Sequence, residues 1–173
     1  MSTAVPPPER RGPAPGPAMV TVRRAAAEDL PAVVGLELDC FGEDAWTRDY
    51  LVGLLPGADT FASLWVAETS AGEILGHAIL SVVFETAELQ RIAVAGSARR
   101  RGIARVLLAE VTGQATASGA ERLLLEVREL NQPALRLYRR AGFTELDRRP
   151  RYYRDGSTAV VMASELIDQP PSG

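Results

Sequence analysis

Residues 88–118 pass from an apolar strand through three consecutive arginines and a glycine into the most regular amphipathic helix of the chain. That succession demands a layered fold, because strand and helix must each bury an apolar face against a neighbour. Apolar spacing extends the pattern in both directions. Residues 20–24 read as a short strand, and residues 28–40 as a helix with Leu30, Val33, Val34 and Leu38 at helical spacing. Glu28 and Asp29 fall in its first turn, where the helix dipole favours acids. Thr47 is placed to N-cap a second helix running through Leu55. Residues 61–68 and 74–84 form a hairpin about Ser70-Ala71-Gly72, followed by a strand over 88–94. The long helix spans 102–118, with Ile103, Val106, Leu107 and Val111 on one face. A strand over 122–127 precedes a helix over 132–141 that Gly142 closes at C′. Strands near 143–147 and 158–165 finish the order β-α-α-β-β-β-α-β-α-β-β. An α/β protein is expected: about seven strands in a mixed sheet, flanked on both faces by about four helices.

The 173 residues suit one domain, expected over 19–167 between a proline-rich leader, 1–18, and a flexible tail, 168–173. Six of the twelve prolines lie in the leader, which predicts disorder there. The leader lacks the apolar core of a secretion signal, and no apolar run approaches the roughly 18 residues of a membrane span. A cytoplasmic protein with no membrane partner is expected. The single cysteine, Cys40, excludes an intramolecular disulfide. One histidine, His77, leaves no multi-histidine metal set and argues against a Ser-His-Asp hydrolase. All 19 basic residues are arginine, which excludes a Schiff-base lysine and the lysine of a phosphate-binding NTPase loop. Chemistry is left to carboxylates, tyrosines, arginines and the backbone, with no metal. The net charge of −3 conceals a division: residues 19–90 carry a balance of −9 and residues 91–154 a balance of +8. Either the two halves attract one another in the fold, or they meet different partners, an anion on one and a cation on the other.

The segment Arg99-Arg100-Arg101-Gly102-Ile103-Ala104-Arg105 joins the strand to the long helix. Unpaired N–H groups and the positive end of the helix dipole converge there, and small residues at 102 and 104 allow an oxyanion to approach the main chain. Guanidiniums add charge-assisted contacts, so a pyrophosphate fits. A solvated arginine run before an ordinary helix is the plainer alternative. The segment is neither a Walker loop nor a dinucleotide fingerprint, having no Gly-Lys-Ser/Thr and one glycine where three are needed.

Leu89-Gln90-Arg91-Ile92-Ala93-Val94 followed by Arg99-x-x-Gly102-x-Ala104 resembles the acetyl-CoA signature of the GCN-five-related N-acetyltransferases, the GNAT superfamily. Glu126-Val127-Arg128, Asn131, Ala134, Leu137-Tyr138 and Gly142-Phe143 are similar to that superfamily's next motif, and with Arg151-Tyr152-Tyr153 they resemble its RimI type. Two departures stand out: Ala104 where glycine is commoner and Gly96 where proline often stands. Neither removes a donor from the loop. The resemblance, over about residues 20–166, implies a GNAT-like fold and acetyl-CoA as co-substrate. Ile92, Ala93, Val94, Arg99, Arg100, Arg101, Gly102, Ile103, Ala104, Arg105 and Asn131 are then the expected cofactor contacts. It implies as well a V-shaped cleft where the 92–94 strand leaves its neighbour. RimI-type enzymes acetylate the N-terminal alanine of a small-subunit ribosomal protein.

Acetyl transfer to an amine needs a base for the attacking ammonium and an acid for the departing thiolate. Glu126 interrupts Leu123-Leu124-Leu125 and Val127 in a strand, a setting that favours a base through desolvation; pairing with Arg128 or an arginine on a neighbouring strand is the alternative. The resemblance assigns Glu126 the base role and Tyr138 the acid role, whereas Tyr138 alone reads as a core aromatic with its hydroxyl at the edge. Asn131 on its own reads as an N-cap. With no metal available, backbone N–H groups of Ile92, Ala93 and Val94 are the expected donors to the carbonyl of the tetrahedral intermediate. Trp46 and Tyr152 are the expected substrate-side aromatics, with a hydrophobic staple before Thr47 the alternative for Trp46. An α-amino group, with a pKa near about 7.8, suits a mild base better than a lysine near about 10.4.

Three functions compete. The first is a peptide N-terminal acetyltransferase whose partner is a protein N-terminus, a ribosomal protein by resemblance. The second is the same chemistry on an antibiotic, a polyamine or a protein lysine. The third is a non-catalytic acyl-CoA-binding module or an arginine-rich nucleic-acid binder. The last is disfavoured, with no nucleic-acid partner expected: seven arginines of the basic half lie in the cofactor loop or around the 132–143 helix, and the pI is near 5.3.

Overall fold

A computed structural model describes residues 19–167; the expected leader and tail lie outside the described residues. The strands are β1 (Val20–Arg24), β2 (Ala62–Thr69), β3 (Ile74–Val83), β4 (Thr86–Val94), β5 (Arg122–Arg128), β6 (Thr144–Arg149) and β7 (Ala159–Glu165). The α-helices are α1 (Leu30–Phe41), α2 (Arg48–Val52), α3 (Ile103–Ala117) and α4 (Gln132–Arg140). The seven strands form one mixed sheet in the order β1-β2-β3-β4-β5-β7-β6, in which β4 and β5 alone run parallel. The fold expected from the sequence is the fold observed. Apolar residues pack against both faces. One cluster joins Leu30, Val33, Leu51 and Leu54 of the α1–α2 region to Leu64, Val66 and Ile79 of the sheet. A larger one joins Ile103, Leu107, Leu108 and Val111 of α3, and Leu135 and Tyr138 of α4, to Leu75, Leu89, Leu123, Leu125 and Met162.

Two helices rotate relative to the expected faces. In α1 the inward positions are Leu30, Val33, Leu36 and Glu37, while Leu38 is 59% exposed. A buried glutamate hidden among aliphatic residues misdirects a reading based on hydrophobicity alone. In α3 Leu108 takes the inward place expected of Val106. Glu28 and Asp29 belong to a 3-10 turn before α1, where Asp29 accepts from the N–H of Ala26 at 2.8 Å and holds Arg23 at 2.7 Å. Thr47 caps α2 as expected, accepting from Tyr50 N–H at 3.3 Å, but the helix ends at Val52.

The feature that positions the site is a split in the middle of the sheet. β4 and β5 pair only from Thr86↔Arg122 to Leu89↔Leu125. Beyond that point residues 91–94 stay with β3 and residues 126–128 stay with β7, so each strand follows its outer neighbour. The split coincides with an irregularity between Ile79 and Leu80, where their partners jump from Arg91 to Leu89 and Gln90 is the extra residue. A bulged strand bends and twists more strongly than a regular one, which turns β4 away from β5.

Candidate active site

The split leaves the β5-facing edge of residues 90–94 without strand partners, so backbone donors and acceptors line one wall of a V-shaped cleft. Ile92, Ala93 and Val94 all lie on that wall. From it the chain enters the arginine turn. Arg100 (φ 62°) and Gly102 (φ 80°) both adopt left-handed backbone, and Gly102 is the N-cap of α3. The cap position has no side-chain hydrogen bond, so the first-turn amides of α3, including those of Ile103, Ala104 and Arg105, retain donors for an anion. A Cβ on Gly102 would meet nothing within 4 Å; its backbone angle, rather than crowding, calls for glycine. Arg99, Arg100 and Arg101 are exposed around this turn. The residue types and backbone fit a pyrophosphate.

On the opposite wall Glu126 points to the sheet face away from α3 and α4, because Leu123, Leu125 and Val127 take the inward side of β5. Its carboxylate is hydrogen-bonded by Arg149 of β6, whose guanidinium also lies 5.7 Å from the centroid of the Tyr152 ring. An aliphatic setting for Glu126 is therefore corrected: its side chain is 25% exposed and is paired across β7. Arg128, the other expected partner, instead binds Asp155 at 2.8 Å and Ser157 at 2.6 Å and lies over the Tyr153 ring. A second carboxylate adjoins. Glu88 of β4, opposite Leu124, has its pKa raised by burial and by the charge of Glu126, with Arg149 opposing.

Tyr138 is 5% exposed within the larger core, and its ring packs against Phe143 with centroids 5.8 Å apart. Burial and the nearby Tyr153 push its hydroxyl pKa well above the ordinary tyrosine value. The hydroxyl pKa of Tyr153 is raised chiefly by burial and next by the charge of Glu126. Asn131 does cap α4, accepting from Ala134 N–H at 3.2 Å, and its side-chain NH2 remains available.

Trp46 and Tyr152, the expected substrate-side aromatics, lie in two separate loops. Trp46 meets Tyr50 edge-on at 4.3 Å and lies beside Arg91, and Tyr152 meets Tyr153 edge-on at 5.2 Å. Asp44 links the loops, 3.5 Å from Arg128 and 3.9 Å from Arg154. Sequence reasoning missed Glu88, Arg149 and Glu37, and it met Arg91 and Tyr153 only as members of the segments 89–94 and 151–153. Arg149 carried no signal, since only the insertion of β7 between β5 and β6 brings it within reach. Among the described residues no cluster of His, Cys, Asp or Glu could hold a metal, and no helix is long and apolar enough to cross a membrane.

Residues 30–143 match the family described as the acetyltransferase (GNAT) family. The chain is 30% identical over 154 residues to the N-terminal acetyltransferase A complex catalytic subunit NAA10 of Arabidopsis thaliana, covering 86% of this chain and 79% of the relative. It is 38% identical over 98 residues to the ribosomal protein bS18-alanine N-acetyltransferase of Escherichia coli K12, covering 55% of this chain and 66% of the relative. The crystal structure of the ribosomal-protein-S18-alanine N-acetyltransferase from Escherichia coli superimposes with a TM-score of 0.76 at 28% identity, covering 90% of this chain and 99% of that one.

Proposed function

The chain belongs to the GNAT acetyltransferase family, and from that membership we propose that it transfers the acetyl group of acetyl-CoA to the α-amino group of a protein N-terminus. The observation that carries the reading is the split between β4 and β5, which opens a backbone edge facing a carboxylate on the other wall. The pyrophosphate of acetyl-CoA lies against Arg99, Arg100, Arg101, Gly102, Ile103, Ala104 and Arg105, and the pantetheine runs along the released edge of Ile92, Ala93 and Val94. Asn131 adds a side-chain contact from the start of α4.

Glu126 takes a proton from the acceptor amine, directly or through a water. The amine nitrogen attacks the thioester carbon, and N–H groups of the Ile92, Ala93 and Val94 edge stabilise the oxyanion. The C–S bond then breaks. Tyr138 gives its proton to the departing thiolate, whose conjugate acid has a pKa near about 8.5 on the cysteine model. Each proton-transfer group is worth about 10²–10⁴ in rate. Arg149 fixes the carboxylate's direction, and the incoming amine shares it.

The acceptor is a peptide entering between Trp46 and Tyr152. The acidic balance of residues 19–90, which supply Trp46, favours a basic sequence. A ribosomal protein N-terminus meets that requirement and is encountered in the cytoplasm. The relatives that modify protein N-termini support this acceptor over a small amine.

The test is the initial rate of coenzyme A release with an Ala-initiated, Arg-rich peptide and with the same peptide blocked at its N-terminus. Release with the free peptide alone, reduced about 10²–10⁴-fold by Glu126→Gln, is expected. Equal release with the blocked peptide would overturn the α-amino assignment.

A further inference from the structure

Beneath the acceptor side of the cleft lies a charged cluster that the transfer chemistry does not use. Glu37 of α1 and His77 of β3 are both 0% exposed, with Glu37 Oε1 2.8 Å from His77 Nε2. The same oxygen is 3.4 Å from Nε of Arg91, whose side chain is 14% exposed, and Glu37 Oε2 accepts from Trp46 N–H at 2.9 Å. Burial works against the charge of Glu37, yet the bonds from His77 and Trp46 and the charge of Arg91 outweigh it and hold the carboxyl below its ordinary pKa. Such a cluster costs desolvation energy that an apolar core would not. What the cluster holds on its outer side explains its presence.

The Arg91 guanidinium lies 3.8 Å from the centroid of the Phe41 ring and 4.9 Å from that of Trp46, and its Nη2 donates to the carbonyl of Asp44 at 2.7 Å. These contacts all belong to residues 41–46, the connection from α1 to α2. That connection makes a backbone bond of its own, from Ala45 N–H to Gly42 O at 3.1 Å. One planar fork thus meets a buried carboxylate, a loop carbonyl and two aromatic faces, a set of contacts that a lysine ammonium cannot reproduce. Arg91 also lies on the stretch of β4 that has left β5, next to Gln90, which accepts from the Tyr50 hydroxyl at 3.1 Å. The same few residues therefore line the cofactor wall and hold the acceptor wall.

We propose that Arg91, anchored by Glu37 and His77, is a positioning residue that fixes residues 41–47 in the shape that admits the acceptor and so sets acceptor affinity. This rests on the acceptor-side reading given above. Two variants separate its parts: Arg91→Lys keeps a cation beside Glu37 but loses the fork, and Glu37→Gln keeps an acceptor for Trp46 N–H but loses the charge.

Amide hydrogen exchange on the full chain needs no acceptor. Residues 41–48 are expected to exchange about tenfold faster in Arg91→Lys, with α3 and β5 unchanged. With the Ala-initiated peptide, KM for the peptide is expected to rise about fivefold in that variant while KM for acetyl-CoA stays within about twofold. Unchanged exchange over 41–48 in both variants would overturn the proposal, as would KM for acetyl-CoA rising in step with that for the peptide. Should the wild type fail to acetylate the peptide, the acceptor reading falls alone, and exchange still decides the role of Arg91.

Discussion

Tyr138 and Glu126 occupy opposite environments, the first in a core of aliphatic and aromatic side chains, the second on a quarter-exposed face bound by an arginine. For Tyr138 the sign of the effect is plain. Burial disfavours the phenolate, so the proton-bearing form persists beyond the ordinary tyrosine pKa of about 10. A general acid at this position keeps its proton throughout the working range. The kcat–pH profile is therefore expected to show no descending limb below about pH 10, and Tyr138→Phe to lower kcat about 10²-fold while leaving the ascending limb in place. A descending limb near neutral pH that vanishes in Tyr138→Phe would contradict this. Of the two readings of Tyr138, the core aromatic is the one its packing displays, and the proton donor belongs to the proposed transfer. For Glu126 the residue was legible from its interruption of an apolar strand, but its partner was not. Arg149 reaches it across β7, a neighbour fixed by topology rather than by sequence distance.

The elements were largely legible because each carries its own signal: alternation in the strands, 3.6-residue spacing in α3 and α4, Thr47, Asn131 and Gly142 at helix ends. The misreading of α1 has a definite cause. In α1 the inward side includes a charged residue, Glu37, whose compensation comes from β3 and β4, and a hydrophobicity pattern cannot anticipate a buried ion pair. The split of the sheet was implied only by resemblance; its physical origin, the unpaired Gln90 in β4, depends on register against β3. Gly76 belongs to the same region. A Cβ there would lie 2.6 Å from the carbonyl oxygen of Ala93 and 3.1 Å from Leu107, so α3 packs on β3 only because the side chain is absent. Gly76→Ala is expected to destabilise the fold by about 1–3 kcal/mol, since a backbone oxygen cannot swing aside as a side chain does. Thermal unfolding measures this as a fall in Tm of about 2–4 °C per kcal/mol, and an unchanged Tm would contradict the packing argument.

At the scale of the whole molecule the charge division along the chain is resolved at the seam between the two halves. Glu37 and Asp44 of the acidic half face Arg91, Arg128 and Arg154 of the basic half. Mutual attraction of the halves is the alternative these ion pairs bear out. The same economy ties down the N-terminal edge, where Arg23 holds both Asp29 and Glu68. The Asp29 carboxyl lies below its ordinary 3.8 because Arg23 and the Ala26 N–H outweigh burial, and Asp155 is held near about 2 by Ser157 and Arg128. Carboxyls depressed in the folded state add stability that is full above their unfolded pKa and is lost as pH falls through the folded one. Tm is expected to hold from about pH 7 to pH 5 and to fall below about pH 4, with a shallower acid slope in Asp29→Asn. A slope unchanged in that variant would remove Asp29 from the account.

Transfer to an α-amine across the split sheet is decided by locating the acetyl group. The acceptor is one basic peptide that offers both a free Ala N-terminus and an internal lysine, incubated with acetyl-CoA and mapped by fragmentation mass spectrometry. Acetyl is expected on the N-terminal nitrogen with wild-type protein and is expected nearly to disappear with Glu126→Gln. Acetyl on the lysine side chain, or N-terminal acetylation undiminished in Glu126→Gln, would contradict that expectation.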